Sequence, residues 1–174
     1  GSIFVRWQKP SLGSNALDTI ANPGPYEFRV MHHDGFSGTF TQVYSSSKQY
    51  FLGLNQLGDT SFTHTGLNTQ SIAHTYKIEF YVNNGQFLGA GQKASSVFLT
   101  AAPSDNQIKL TWQHQVPWTN FKYYIYKKGP SQSSFTLIDS TTAKTYTDTG
   151  LVNGVLYCYK VQSKGQYSDP AIFN

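Results

Sequence analysis

Cysteine is almost missing: Cys158 is the only one in 174 residues, so no disulfide can close within the chain. Charge is thin as well. Only 13% of residues are Asp, Glu, Lys or Arg, and although Lys and Arg outnumber the acids by 13 to 9, the basic residues stand singly or in pairs. A nucleic-acid surface announces itself by clustered Lys and Arg, so nucleic acid is not expected as a partner. No stretch approaches the roughly 20 apolar residues of a membrane helix, so no membrane-spanning segment is expected. Also absent are a Gly-x-Ser-x-Gly elbow, a His-Glu-x-x-His pair, a phosphate loop and the paired acids of a glycosidase. The expectation is a non-catalytic chain without a cofactor.

Aromatic residues, by contrast, make up 16% of the chain. With few charges and abundant Ser, Thr, Asn and Gln, this composition fits a folded all-β protein and not a disordered one. The length accommodates two units of roughly 80 to 90 residues, and the sequence shows them. "SFTHTGLNTQSIAHTYKIEF" (61–80) returns as "TYTDTGLVNGVLYCYKV" (145–161), and such internal similarity marks a repeated structural unit.

Alternation with period two places the strands. In the second copy they are "SVFLTA", "IKLTWQH", "FKYYIYKKG", Phe135 to Ile138, Lys144 to Asp148 and "VLYCYKVQ", with "QYSDPAIF" closing the unit. Phe121, Tyr123 and Ile125 are assigned to one inward face. The first copy follows the same order: "IFVRWQKP", "YEFRVMHHDG", "TFTQVYSS", "TSFTHTG" and "HTYKIEFYVN". It carries longer Gly-, Pro- and Asn-rich segments, and no strand of sufficient length precedes Trp7. The first unit is therefore either truncated or atypical at its start, which predicts an exposed edge beside Ile3 to Trp7. Domains are expected at residues 1–93 and 94–174, joined through "GAGQKASS" by a link too short for free tumbling. Gly1-Ser2 reads as an added dipeptide, which leaves room for an export signal upstream.

The repeated phrase has a physical reading. Gly66 and Gly150 permit the backbone turn between sheets, and Leu67 and Leu151 drop into the core. Tyr76 and Tyr157 are paired as tyrosine corners, each phenol bonding back to the connecting backbone. Trp7 and Trp112 fill the two cores. A Trp on the second strand, an aromatic third strand and the Leu-x5-Tyr of "LVNGVLY" resemble the fibronectin type III family. The second copy matches throughout. The first matches from its second strand onward, with three extra residues between Leu67 and Tyr76. The resemblance implies two consecutive immunoglobulin-like β-sandwiches.

"NPGPYEFRV", "QVPWTNFKYYIY", "YTDTGLVNGVLYCYKV" and "GQYSDPAIFN" further resemble domains of gliding-motility-associated surface proteins that Bacteroidota-type bacteria export by type IX secretion. This implies a secreted or outer-membrane-associated location. It also implies a spacer or scaffold role, with other domains of the parent protein or other surface proteins as partners. Similar proteins carry another cysteine after the closing strand, so the resemblance implies that Cys158, on the outer face of its strand, pairs with a residue beyond this chain. Within the chain alone it reads as a small half-covered side chain.

Three candidate sites remain. "MHHDG" holds His32, His33 and Asp34, which have metal-ligating chemistry. Neighbouring strand residues point to opposite faces and structural sites want three or four convergent ligands, so a solvated strand end is expected and no metal. His64, His74 and His114 read as isolated. Trp118, in a loop, is either a binding anchor or a packed cap, with the cap favoured. Trp118, Tyr44 and Tyr50 are the rings that would serve a carbohydrate-binding or adhesion module, the alternative to a spacer. A further alternative is an accessory piece of a larger surface enzyme.

Overall fold

The computed structural model describes residues 1–10, 17–50 and 60–167, which contain strands and no helix. The chain is all-β, as composition and alternation indicate. It divides into two compact units, Gly1–Ser95 and Ser96–Asn174. Parts of the Gly-rich insertions (residues 11–16 and 51–59) and the closing segment from Ser168 lie outside the described residues.

In the second unit, β8 (Phe98–Ser104), β9 (Gln107–Gln113) and β12 (Thr145–Thr149) form one sheet in the order β12-β9-β8, and β10 (Thr119–Lys128), β11 (Thr136–Thr141) and β13 (Cys158–Gln166) form another in the order β11-β10-β13. Period-two alternation turns Leu110 and Trp112 of β9 and Tyr123 and Ile125 of β10 into one buried cluster. Leu99, Ile138, Tyr146, Tyr159 and Val161 close around it. Every described strand of the unit thus contributes an inward side chain, which makes a two-sheet sandwich. Phe121 departs from the expected face. The β10–β13 register shifts between Asn120 and Lys122, and this bulge leaves Phe121 46% exposed while Tyr123 and Ile125 are buried.

In the first unit, β1 (Ser2–Arg6) pairs with β4 (Ser61–Thr65), and β3 (Thr41–Ser45), β2 (Glu27–Asp34), β5 (His74–Val82) and β6 (Gln86–Ala90) form the facing sheet in the order β3-β2-β5-β6. The short β7 (Ala94–Ser95) also pairs with β5, through Thr75 and Tyr76, so Ala94 and Ser95 attach to this unit's sheet. The core gathers Trp7, Tyr26, Phe28, Val30, Tyr76 and Val82, with Ile3, Val5, Phe62, Ile78 and Phe80 packed on it. Trp7 lies just beyond β1 and continues its ladder by donating its backbone N–H to Thr60 O at 3.0 Å.

Ladder registers make the duplication explicit. β1 and β4 correspond to β9 and β12, and β2, β3 and β5 correspond to β10, β11 and β13. Among the described residues of the first unit, no strand corresponds to β8. Among the described residues β1 is paired on one side only, and Phe4 on its outward face is 65% exposed. Gly66 and Gly150 both have positive φ, 77° and 72°, the conformation that glycine adopts without Cβ strain. Leu151 after the turn is buried, whereas Leu67 is half-buried.

Candidate functional site

The repeat shows where the first unit departs from its own template. Lys127 pairs with Tyr159 across β10–β13, and His32 pairs with Tyr76 across β2–β5. Tyr76 is therefore the counterpart of Tyr159, two positions on from the Tyr157 that sequence reading assigns to it. The residue that matches Tyr157 is His74. Both perform the corner task. The Tyr157 hydroxyl accepts the backbone N–H of Val152 at 3.3 Å, and the His74 ring contacts the backbone carbonyl of Asn68 through Nε2 at 3.2 Å. Val152 and Asn68 each follow the crossing leucine. Tyr76 instead bonds across the sandwich, its hydroxyl 3.0 Å from His64 Nδ1, as the Tyr159 hydroxyl donates to Asp148 Oδ2 at 2.8 Å.

One polar patch thus recurs in two chemistries. In the second unit Lys127 and Asp148 make an ion pair at 2.8 Å, with Tyr159 donating to the same carboxylate oxygen. In the first unit His32 and His64 stand in those places, their rings edge to face at 4.8 Å between centroids. His74 and Asp34 extend the patch. Asp34 is directly opposite His74 in the β2–β5 register; the corresponding residue of the second unit is Gly129, one past the end of the β10–β13 ladder.

Three ligand-type atoms converge as a result. His32 Nε2 and His74 Nδ1 are 3.0 Å apart, His74 Nδ1 and Asp34 Oδ1 3.0 Å, and His32 Nε2 and Asp34 Oδ1 3.5 Å. The histidine side chains are buried, while that of Asp34 is 62% exposed, so the cluster opens to solvent at its acidic corner. Burial pushes the His32 imidazole below its ordinary range, and the neighbouring His64 adds to the shift. His64 is lowered by burial and then by His74. Burial, helped by the Asp34 charge, pushes the Tyr76 phenol up to about 12. These rings are thus held neutral in a confined space.

The expectation of isolated histidines is corrected for His64 and His74, which are drawn into contact with His32 by strand pairing. His33 turns to the other face of β2, where its ring packs edge to face on Phe40 at 4.5 Å. It is separated from the converging atoms, as strand alternation requires. His114 Nε2 lies 2.7 Å from the Tyr123 hydroxyl, so it too has a partner.

The candidate ring residues part company. Tyr44 stacks on Phe62 at 4.7 Å and lies 6.4 Å from Trp7, which makes it a packing residue in the first core and not a surface platform. Tyr50 is 67% exposed. Trp118 is half-buried. Its Nε1 donates to Asn120 Oδ1 at 3.1 Å, its ring meets Tyr167 edge to face at 5.4 Å, and it lies over Gly165, where a Cβ would strike it.

Cys158 is half-covered on the outer face of β13, opposite Lys128. That face shows what a linear count of lysines misses. Lys122, Lys128, Lys160 and Lys164 come together there, each over the ring of Tyr124, Tyr126, Phe121 or Phe135 at 4.4–5.9 Å. Elsewhere, a shallow groove of about 70 Å³ runs between the β8–β9 turn and residues 151–157. It contains no acid, base or nucleophile pairing of a catalytic kind.

No protein-family model matches the chain, and no curated protein sequence matches it. Among solved structures it is similar to the crystal structure of the chicken CNTN1 FN1-FN3 domains, at 10% identity over 93% of this chain with a TM-score of 0.35. The chain covers 54% of that protein, about half its length. It is also similar to a cytokine receptor complex, at 11% identity over 95% of this chain and 85% of the other, with a TM-score of 0.34. The sandwich description of this chain rests on its own sheets and cores.

Proposed function

We propose that this chain is a non-catalytic structural and protein-contact module, a pair of fibronectin type III-like units acting as spacer or scaffold in an exported multidomain bacterial protein. One observation carries the reading: each unit closes around its own tryptophan-centred core, and among the described residues β1 of the first is paired on one side only. A self-contained sandwich with one open ladder is suited to holding neighbours apart while pairing with an extended segment of another protein. The export setting is supported by the sequence resemblance alone.

The test has two arms. Fractionation of the source cells, followed by an antibody to this segment, should find it in the secreted or outer-membrane fraction. A cytoplasmic location removes the export part of the reading. In the second arm the purified chain is offered to a glycan array and to generic hydrolase substrates. No turnover and no saturable glycan binding are expected. Glycan binding lost in Trp118→Ala would replace the spacer reading with the carbohydrate-binding one.

A further inference from the structure

We propose that His32, Asp34 and His74 form a binding site for a divalent first-row transition metal of the zinc class. The distances carry the argument. In a tetrahedral zinc site with bonds of about 2.0–2.1 Å, neighbouring ligand atoms are separated by roughly 3.3 Å. Here the three separations are 3.0, 3.0 and 3.5 Å. A circle through three such atoms has a radius of roughly 1.9 Å, so an ion at bonding distance from all three sits about 1 Å out of their plane, near the tetrahedral arrangement. The fourth position faces the solvent-exposed side of Asp34 and suits a water.

The hydrogen-bond pattern prepares the ligands. A carbonyl only accepts, so the Asn68 contact places the His74 proton on Nε2 and, in the neutral ring, turns the Nδ1 lone pair toward Asp34 and His32. Metal-binding histidines are ordinarily fixed in this manner, through the other ring nitrogen on a backbone carbonyl. Without a cation, a neutral His74 would direct its lone pair at a carboxylate oxygen 3.0 Å away. A bound metal relieves that repulsion. The surroundings are also fixed. Gly35 N–H donates to Ala73 O at 2.6 Å, the Thr75 hydroxyl donates to Gly35 O at 2.6 Å, and the Asn68 side chain accepts from Ser71 N–H at 3.1 Å.

The second unit is an internal control. At the corresponding positions, the last two just past the end of the β10–β13 ladder, it has Lys127, Gly129 and Tyr157, which offer no ligand set, and the sandwich forms there all the same. The fold therefore does not demand this histidine-carboxylate group. Two imidazoles with one carboxylate favour zinc and its neighbours over calcium or magnesium, which seek oxygen ligands. His64 is set apart by its bond to Tyr76. An ion here would tie the end of β2 to β5 beside the crossing loop.

The experiment is isothermal titration of zinc chloride into the chelator-treated 174-residue chain, beside the His33→Ala, Asp34→Asn and His74→Gln variants. One ion per chain is expected. Asp34→Asn and His74→Gln should each weaken binding at least tenfold, on the order of what even an outer-shell change costs, and His33→Ala should leave it unchanged. Cobalt(II) in place of zinc should give the visible absorption of tetrahedral coordination in the wild type and lose it in Asp34→Asn. Asp34 is largely solvent-exposed, so its variant remains an informative folded protein even where His74→Gln misfolds. Absence of zinc binding in the wild type, binding that both ligand variants leave intact, or binding abolished by His33→Ala overturns the proposal.

Discussion

Gly165→Ala tests whether Trp118 is a packed cap or a free anchor. A Cβ at position 165 would collide with the Trp118 ring and the Asn120 side chain and would come within 2.8 Å of Thr119 O. Rings can swing away, but a backbone carbonyl in the β10–β13 ladder cannot move without disturbing the Asn120–Gly165 pairing. Overpacking of this kind costs about 1–3 kcal/mol, offset by about 0.4–1 kcal/mol because alanine stiffens the unfolded chain. The net loss is about 0–2.6 kcal/mol, with a midpoint near 1.3 kcal/mol. For a unit of roughly 80 residues, each kcal/mol lowers the midpoint by about 4–8 °C, a shift that calorimetry of the whole chain resolves. In the double variant with Trp118→Ala, one obstacle disappears, and the two changes should couple favourably by at least about 0.5 kcal/mol. A Gly165→Ala protein as stable as the wild type, or strict additivity with Trp118→Ala, would refute the cap.

Other expectations are simpler. Ile125→Ala empties a fully buried position in the second core and should cost about 2–5 kcal/mol, measured by urea titration. Asp148→Asn removes the charge that holds Lys127 and Tyr159 and should cost about 1.5–3 kcal/mol, whereas Lys127→Met, which keeps the stem, should cost less. For pH dependence, the hydrogen bond from Arg29 holds the Glu27 carboxyl below its ordinary 4.5, against the opposing effect of burial. A depressed carboxylate contributes stability that is complete above the unfolded value and is lost as pH falls through the lower folded one. Unfolding midpoints measured from pH 6 downward should therefore decline below about pH 4.5, and more gently in Glu27→Gln.

The strands and both cores were legible in the sequence because alternation is local: Leu110, Trp112, Phe28 and Val30 declare their facing within a few residues. Equivalences that cross a loop were not. Tyr76 is matched to Tyr157 as the first tyrosine after the leucine, at the expense of three extra residues, yet the register with His32 shows that the loop after Leu67 is only one residue longer and that His74 holds that place. The metal-type cluster was half visible. His32-x-Asp34 places two ligands on one face, but the third comes from a partner strand 40 residues away, and nothing near position 74 announces it. Lysines scattered along β10 and β13 likewise converge only when the ladder aligns them. The bulge at Phe121 has no mark in the pattern at all.

Among the described residues, the buried indole nitrogens of Trp7 and Trp112 meet no hydrogen-bond acceptor, and tryptophan ordinarily finds one when buried. Each sandwich therefore carries a built-in fluorophore in a dry setting, and both should emit at the blue end of the tryptophan range. Replacing Trp7 by phenylalanine would leave Trp112 and Trp118 reporting on the second half, and replacing both of those would leave Trp7 reporting on the first, so that the melting of each half could be followed separately by light.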